Sequence, residues 1–251
     1  DVGNTNISLG LMQGNEVIGS FRLTTKTPRT SDEFGLCIKE LLDMTKLQND
    51  DIEAVIISSV VPKIMYSLTS AIVKFLHKDP IIVGPGIKTG ISIRTDNPRE
   101  VGADRIVDIS MAYHTYHKSC IIVDFGTATT FDYISGEGVF KYTVIAPGLG
   151  IVANALTSQT AKLPEIEIQK PESILNGNTI TGMQAGVIYG YIGSVEYIIK
   201  QMKKELKLKD CLVIATGGLG KVIAKETKEI DLFDPDVAYK GMRILYDLNK
   251  K

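Results

Sequence analysis

An uncommon hexapeptide pattern occurs twice in this chain, and the two copies are about half the chain length apart. The first copy is DVGNTN, residues 1–6, and the second is DFGTAT, residues 124–129. Each copy consists of Asp, an apolar residue and Gly, followed by a run that contains small polar residues. A pattern that recurs in this way indicates an internal repeat, so we expect the two halves to build similar supersecondary units.

The hydrophobic periodicity around both copies supports this repeat. After the first copy, residues 6–12 and 16–23 predict the arms of a hairpin, and residues 54–59 predict a buried strand. Around the second copy, residues 120–126 predict a strand that enters a tight turn, and residues 179–206 predict a long helix. We therefore expect an α/β fold with two similar domains, each a mixed sheet flanked by helices. A cleft between two such domains is the usual place for a ligand.

The domain boundary is predicted near Lys118, which gives domains 1–118 and 119–251. No linker rich in Pro, Gly or Ser marks this boundary, so we expect the halves to pack closely. Hydrophobic residues make up 44% of the 251 residues, which is enough for a proper core. Lys plus Arg number 28 and Asp plus Glu number 29, and no long block of one charge occurs. This balance predicts neither a nucleic-acid surface nor a membrane surface.

The spacing of the cysteines indicates a reducing compartment. Cys37, Cys120 and Cys211 lie far apart and are predicted to be small buried hydrophobes, not disulfides or zinc ligands. No signal peptide is evident, and the apolar run at residues 185–199 is too short to span a bilayer. The cytoplasm is therefore the expected location. Because a strand-ending Asp needs a strand before it, we also expect residues that precede Asp1.

The two hexapeptides have the chemistry of phosphate-binding turns. Gly3 and Gly126 allow tight turns with exposed backbone N–H groups, which form an anion nest. The Asp of each turn would repel a phosphate, so it implies an intervening cation. Ordinary β-turns are the alternative, and a single copy favours them, whereas the pair favours a polyphosphate site. Further donors come from Asn4, Thr5, Asn6, Thr127, Thr129 and Thr130.

Two further segments are candidates for ligand contact. ATGG, residues 215–218, ends a predicted strand, and Gly217 and Gly218 would let the backbone approach a flat ligand such as adenine, although such turns are common. DNPREVGADR, residues 96–105, places Asp104 beside Arg105, a pair suited to a general base and an anion-holding cation. From these residues alone, an acid that stabilises a helix N-terminus beside a solvated Arg is the favoured alternative.

The ordered motifs DVGNTN, DNPREVGADR, DFGTATT, IAPGLG, TAKLP, GNT and ATGGL resemble the type III pantothenate kinases over essentially the whole chain. That family belongs to the superfamily of acetate kinase, sugar kinases, Hsp70 and actin. The resemblance implies two actin-like or ribonuclease H-like domains. The N-terminal domain would carry the first phosphate turn and the GADR segment, and the C-terminal domain the second phosphate turn and the adenosine turn. It also implies ATP-dependent phosphorylation of pantothenate to 4′-phosphopantothenate, the first step of coenzyme A biosynthesis.

The resemblance further implies roles for individual residues. The first nucleotide-phosphate segment would be Asp1, Val2, Gly3, Asn4, Thr5, Asn6, Ile7 and Ser8, with Asp1 near Mg²⁺. The pantothenate-binding segment would be Gly102, Ala103, Asp104 and Arg105, with Asp104 as the proton acceptor. Asp124 would be a ligand for K⁺ or ammonium, and Thr127 would contact ATP. Gly217 and Gly218 would form the adenosine turn. Thr179 would be the substrate contact that the neighbouring subunit of a homodimer supplies.

This chain departs from the family pattern at two places. Many members have Tyr directly before DNP, near the substrate, where this chain has Thr95. Most have Gly-Gly shortly before the IAPG segment, where this chain has Tyr142 and Thr143. We expect the smaller Thr95 to affect substrate packing and not the reaction. For Tyr142 and Thr143 the alternatives are a narrower pocket and a shifted turn.

The predicted homodimer and the function each have alternatives. Gly182, Gly186 and Gly190 lie four residues apart on one helix face, which by itself favours close packing inside the chain over dimerisation. The resemblance favours the dimer. Another small-molecule kinase of the superfamily, a non-enzymatic regulator and an actin-like or chaperone-like ATPase are the alternative functions.

Overall fold

The computed structural model describes residues 1–250, which form ten strands, seven α-helices and three short 3₁₀ or π-helical segments. The strands are β1 (Asn6–Gln13), β2 (Glu16–Thr24), β3 (Ile56–Ile57), β4 (Ile81–Ile82), β5 (Ser92–Ile93), β6 (Cys120–Phe125), β7 (Ala128–Ile134), β8 (Val139–Pro147), β9 (Leu212–Thr216) and β10 (Leu232–Phe233). The helices are α1 (Ser31–Met44), α2 (Pro62–Ala71), α3 (Ala103–Tyr116), α4 (Leu149–Ser158), α5 (Thr179–Glu205), α6 (Gly220–Ala224) and α7 (Val237–Asn249).

The chain divides into two compact units. Unit 1 contains Asp1–Ile91, Asp96–Thr115 and the segment from Asp236 onward, and unit 2 contains Ser92–Thr95 and Tyr116–Pro235. The boundary between Thr115 and Tyr116 lies three residues before that of the predicted domains 1–118 and 119–251, and the units differ from these domains at two further places. The last helix, α7, belongs with unit 1, and the short strand β5 belongs with unit 2.

Close contacts account for both differences. In α7, a side chain at Gly241 would overlap the backbone carbonyl of Val107 in α3, and the Tyr239 hydroxyl donates to the carbonyl oxygen of Leu9 at 3.3 Å. Strand β5 pairs in parallel with β8, with Ser92 opposite Val139. None of these contacts follows from local periodicity, because each joins residues that are far apart in sequence.

The sheet topology of unit 2 recurs in unit 1. In unit 2 the order is β10-β9-β6-β7-β8-β5, with β6–β7 and β7–β8 antiparallel and β6–β9 and β9–β10 parallel. In unit 1, β1 pairs antiparallel with β2, and β3 pairs in parallel with β4. Val2 joins these two ladders, because it bridges Ile7 antiparallel and Ser59 in parallel. Val2 thus takes the position of β6, which confirms the α/β fold and the internal repeat.

Each unit has its own hydrophobic core. The core of unit 1 gathers Val2 and Ile7 from the first turn with Phe34, Ile38 and Leu68 from helices α1 and α2. The core of unit 2 packs β6, β7 and β9 against α4 and α5, with Ile121, Phe131, Leu149, Ile188 and Val213 among its buried members. Burial of this kind is the main stabilising contribution to the fold.

Local sequence signals explain several boundaries. Gly14 has a φ of 58° in the β1–β2 turn, as the predicted hairpin requires. The predicted capping box is confirmed, because the Thr30 side chain accepts from the Glu33 N–H and the Glu33 carboxylate accepts from the Thr30 N–H. Among residues 1–250, no helix combines the length and the apolar character needed to cross a membrane.

Candidate active site

The first hexapeptide forms a tight turn closed by backbone pairing. Asp1 and Ser8 exchange two backbone hydrogen bonds, each of 2.8 Å, and the Gly3 N–H donates to the Asn6 carbonyl oxygen at 3.0 Å. Thr25 holds the turn from the end of β2, because its hydroxyl donates to the Gly3 carbonyl oxygen at 2.7 Å and its N–H to that of Thr5 at 2.9 Å. The sequence does not predict this role of Thr25, because no local pattern connects it to the turn.

Burial in this segment alternates between apolar anchors and polar residues. Val2 and Ile7 are buried in the core of unit 1, whereas Asn4, Thr5 and Asn6 are exposed. The polar groups of the turn are therefore available to a ligand, and the apolar residues fix the backbone that carries them.

Val60 connects the first turn to the GADR segment within unit 1. The Val60 N–H donates to the Val2 carbonyl oxygen at 3.1 Å. A Cβ placed on Gly102 would lie 3.3 Å from Cγ1 of Val60 and 2.5 Å from Oδ1 of Asp104. Gly102 therefore leaves the space that the Asp104 carboxylate occupies, beside the residue that hydrogen bonds to the first turn.

Asp104 lies in the first turn of α3, where the helix dipole favours a negative charge. Its Oδ1 accepts the backbone N–H of Arg105 at 2.8 Å. Asp104 and Arg105 are both half-buried, and Ala103 is buried. The structure thus gives Asp104 a fixed orientation and leaves part of its carboxylate accessible.

The second hexapeptide lies beside the ATGG turn at one edge of the sheet in unit 2. Asp124 is opposite Thr216 in the parallel β6–β9 ladder, so both strands end at the same edge. Gly217 has a φ of 91°, and a Cβ there would lie 2.5 Å from Oδ1 of Asp124 and 2.7 Å from the backbone N of Phe125. Only glycine fits this position, because a side chain would be strained and would displace Asp124.

The start of α4 packs directly on the second turn. The Gly148 N–H donates to the Thr127 carbonyl oxygen at 3.2 Å. A Cβ on Gly148 would overlap that oxygen and would lie 2.6 Å from the Gly126 carbonyl oxygen. The two hexapeptides differ in loop length, because Val2 bridges Ile7 whereas Phe125 pairs with Thr129, which leaves the second loop one residue shorter.

Three other predicted site residues, Thr179, Thr95 and Gly218, belong to unit 2. Thr179 is the first residue of α5, where it is exposed, and the Asn178 side chain caps the helix by accepting from the Thr181 N–H at 3.0 Å. Thr95 follows β5 in unit 2, and its buried Oγ1 has no hydrogen-bond partner among residues 1–250. Gly218, unlike Gly217, has open space where a side chain would lie.

Both turns carry oxygen atoms that can act as ligands for a metal ion. Oδ2 of Asp124 and the Ala128 carbonyl oxygen would each lie 3.4 Å from a Cβ placed on Gly126, and Asp1 begins a turn that contains amide and hydroxyl side chains. Oxygen ligands suit hard cations such as Mg²⁺ and K⁺, and Mg²⁺ in kinases is bound through one or two carboxylates together with substrate phosphates. Asp1 and Asp124 are therefore of the ligand type that such cations prefer, whereas residues 1–250 contain no group of three or more His, Cys, Asp or Glu side chains that could hold a metal ion by themselves.

A repeated sheet with a glycine turn after the first strand of each repeat defines the fold class of the sugar kinases and actin. A Campylobacter jejuni protein assigned to the Baf family of transcriptional activators has this fold with a TM-score of 0.58 and 18% identity, over 99% of this chain and 96% of that chain. A Porphyromonas gingivalis protein assigned as an N-acetylglucosamine kinase matches with a TM-score of 0.50 and 13% identity, over 100% of this chain and 98% of that chain.

The sequence comparisons are more specific. The profile of the type III pantothenate kinase family matches residues 1–201. The type III pantothenate kinase of Agathobacter rectalis is 51% identical over 98% of this chain and 95% of its own length, and that of Bifidobacterium longum strain DJO10A is 49% identical over 100% and 98%. The chain belongs to the type III pantothenate kinase family.

The neighbouring glycines of the ATGG turn provide a matched pair of variants. Gly217→Ala is expected to destabilise the fold by about 1–3 kcal/mol, because it combines strain at positive φ with overpacking against Asp124. Gly218→Ala is expected to change stability by less than about 0.5 kcal/mol, because open space surrounds that position. Urea unfolding followed by circular dichroism measures both values. Equal loss in the two variants would contradict this description of the turn.

Proposed function

We propose that this protein transfers the γ-phosphoryl group of ATP to the primary hydroxyl of pantothenate, with Asp104 as the proton acceptor. The phosphotransferase activity toward pantothenate is that of the family to which the chain belongs. The observation that carries the assignment of Asp104 is its position beside Gly102 and Val60, the residue that also hydrogen bonds to the first turn. The Asp104 carboxylate and the proposed phosphate segment are thus both next to Val60 within unit 1.

The nucleotide contacts are proposed for both glycine turns. The segment from Asp1 to Ser8 and the Thr127 turn would donate N–H and hydroxyl groups to the phosphates, and Gly217 with Gly218 would approach the adenosine. Asp1 would hold Mg²⁺, which reduces the negative charge of the phosphates. Asp124 would hold a monovalent cation, K⁺ or ammonium, beside the second turn.

In the proposed reaction, Asp104 accepts the proton of the pantothenate hydroxyl as that oxygen bonds to the γ-phosphorus. The bond between the γ-phosphorus and the bridging oxygen breaks, and ADP leaves. Arg105 would hold the substrate carboxylate, because its guanidinium matches a carboxylate with two parallel hydrogen bonds. The small residues Gly102 and Ala103 would leave Asp104 and Arg105 accessible to the substrate. Thr95 would lie near the substrate in place of the Tyr that many relatives have.

The product, 4′-phosphopantothenate, would enter coenzyme A biosynthesis in the cytoplasm. Another small-molecule kinase of the same superfamily is the main alternative, and a panel of sugars and hydroxy acids as acceptors distinguishes it from a pantothenate kinase. A regulator without catalysis would bind partners and transfer no phosphate.

The direct test measures ATP-dependent phosphorylation of pantothenate with Mg²⁺, in the presence and absence of K⁺. We expect product only with K⁺ or ammonium, because the cation would offset the charge of Asp124 next to the phosphates. Product without any monovalent cation would retain the kinase and refute this role of Asp124. No product from folded protein would refute the proposed function.

Asp104→Asn tests the proton acceptor. The amide cannot accept the hydroxyl proton, so we expect kcat to fall by about 10²–10⁴-fold, the usual contribution of a general base. The fold should persist, since an amide oxygen can still accept the Arg105 N–H. Glu100→Gln, a similar change at an exposed acid nearby, is the control and should retain activity. Near-normal turnover by the Asn variant would show that another group takes the proton.

We also propose that α5 forms part of a homodimer interface. A Cβ on Gly182, Gly186 or Gly190 would meet nothing within 4 Å among the described residues, so close packing inside the chain does not explain these glycines. Each exposed mid-helix Gly costs about 1 kcal/mol relative to Ala, which a closely packed partner helix would offset. At helical spacing, Thr179 and the 65% exposed Tyr197 share the face of Gly186. Thr179 would thereby reach the partner's substrate site.

Gly186→Leu tests the interface. We expect this variant to lose the dimer in light scattering and to lose activity with it, while the monomer is no less stable, because Leu favours helix and has open space in the chain. Lys63→Leu, at an exposed position of α2, is the control and should remain dimeric. A wild-type monomer at working concentration would remove the dimer proposal.

A further inference from the structure

The hydroxyl of Tyr191 in α5 is buried and hydrogen bonds to the Thr129 hydroxyl of the second hexapeptide. Tyr191 is 7% exposed and Thr129 is 1% exposed, so neither hydroxyl has an alternative partner in bulk water. A buried pair of this kind is costly to leave unsatisfied. The contact therefore constrains the end of β7 that carries the turn.

The position of Thr129 makes this contact important for the turn. Thr129 is opposite Phe125 in the β6–β7 ladder, the last pair before the loop that contains Gly126 and Thr127. The loop between this pair is three residues long, so a shift of Thr129 moves the loop directly. The rings of Phe125 and Tyr191 also contact each other, with centroids 6.3 Å apart. Tyr191 thus holds both strands that flank the turn.

Two other parts of the site act on the same hydroxyl. Burial raises the pKa of Tyr191, the hydrogen bond with Thr129 opposes this change, and the charge of Asp124 adds to it. The backbone N–H of Leu149, at the start of α4, also lowers this pKa through a hydrogen bond. The hydroxyl therefore keeps its proton and lies where β7, α4 and the Asp124 carboxylate converge.

We propose that Tyr191 is a positioning residue that holds the second turn and the start of α4 in the geometry that binds the ATP phosphates and the monovalent cation. This inference rests on the proposed function of the turn. Three features then hold the turn. Gly217 lacks a side chain and so leaves room for Asp124, the Gly148 N–H donates to the Thr127 carbonyl oxygen, and Tyr191 hydrogen bonds to Thr129. Only the last comes from α5, the helix that begins at Thr179.

Tyr191→Phe tests the proposal, with Tyr189→Phe as the matched control. Tyr189 is on the same helix, and its hydroxyl donates to the Pro171 carbonyl oxygen at 3.3 Å, away from the turn. Steady-state kinetics would give the KM for ATP, the half-saturating K⁺ concentration and the KM for pantothenate. We expect Tyr191→Phe to raise the first two by about tenfold, as loss of one buried hydrogen bond predicts, with the KM for pantothenate within about twofold. Tyr189→Phe should leave all three near the wild-type values.

A second measurement does not depend on turnover. The increase in Tm on addition of ATP with K⁺ should be smaller for Tyr191→Phe than for Tyr189→Phe, because weaker binding stabilises the folded state less. Thr129→Val should give the same loss, and the double variant should lose little more than either single variant. Equal behaviour of the Tyr191 and Tyr189 variants, or additive losses in the double variant, would overturn the proposal. If pantothenate is not phosphorylated but the ATP-induced Tm shifts differ as expected, the proposed function fails and the role of Tyr191 stands.

Discussion

The parallel pairing of β6 with β9 is the constraint on which the second turn depends. It brings Asp124 and Gly217 to one sheet edge, although 92 residues separate them in a chain of 251. Parallel strands require a crossover connection, which here contains α4 and α5. The same crossover supplies Gly148 and Tyr191 to the turn. The β6–β9 pairing and its crossover therefore bring together residues at the ends of β6, β9 and α4 and within α5.

In unit 1 a parallel pairing also positions the first turn, but the pairing is an isolated bridge at Val2 and not a full strand. The backbone of Val2 donates to Ser58 and accepts from Val60, so a single residue does the work of a strand in the parallel ladder. This ladder places the first turn next to the segment that leads into α2. The Asp104 carboxylate then reaches the same neighbourhood from α3, because Gly102 leaves room for it beside Val60. Repetition of the topology thus yields two turns with different neighbours and allows different roles.

The sequence predicts the elements of this fold better than their partners. The β1–β2 hairpin, the capping box at Thr30 and the long α5 follow from local patterns, because each depends on residues that are close in sequence. The repeat follows from comparison of two such local patterns. The assignment of α7 to unit 1 does not, since it depends on contact between Gly241 and Val107. The contacts of Thr25 with the first turn and of Tyr191 with the second turn are also not predicted by the sequence. In sequence Tyr191 resembles Tyr189, and only the packing of α5 decides which hydroxyl meets the turn.

The glycines show most clearly what a pattern leaves undecided. Gly217 and Gly218 are adjacent and look equivalent, yet one is crowded by Asp124 and the other borders open space. Crowded glycines are explained within the chain, because a side chain would displace the backbone or carboxylate next to it. The open glycines of α5 have no such explanation, and each weakens its helix. Residues that cost stability within a chain and gain nothing there are best explained by something outside it. Tyr191, which hydrogen bonds to the second hexapeptide, and the open glycines lie on the same helix, so in the proposed dimer α5 would connect the proposed nucleotide turn of one subunit to its partner.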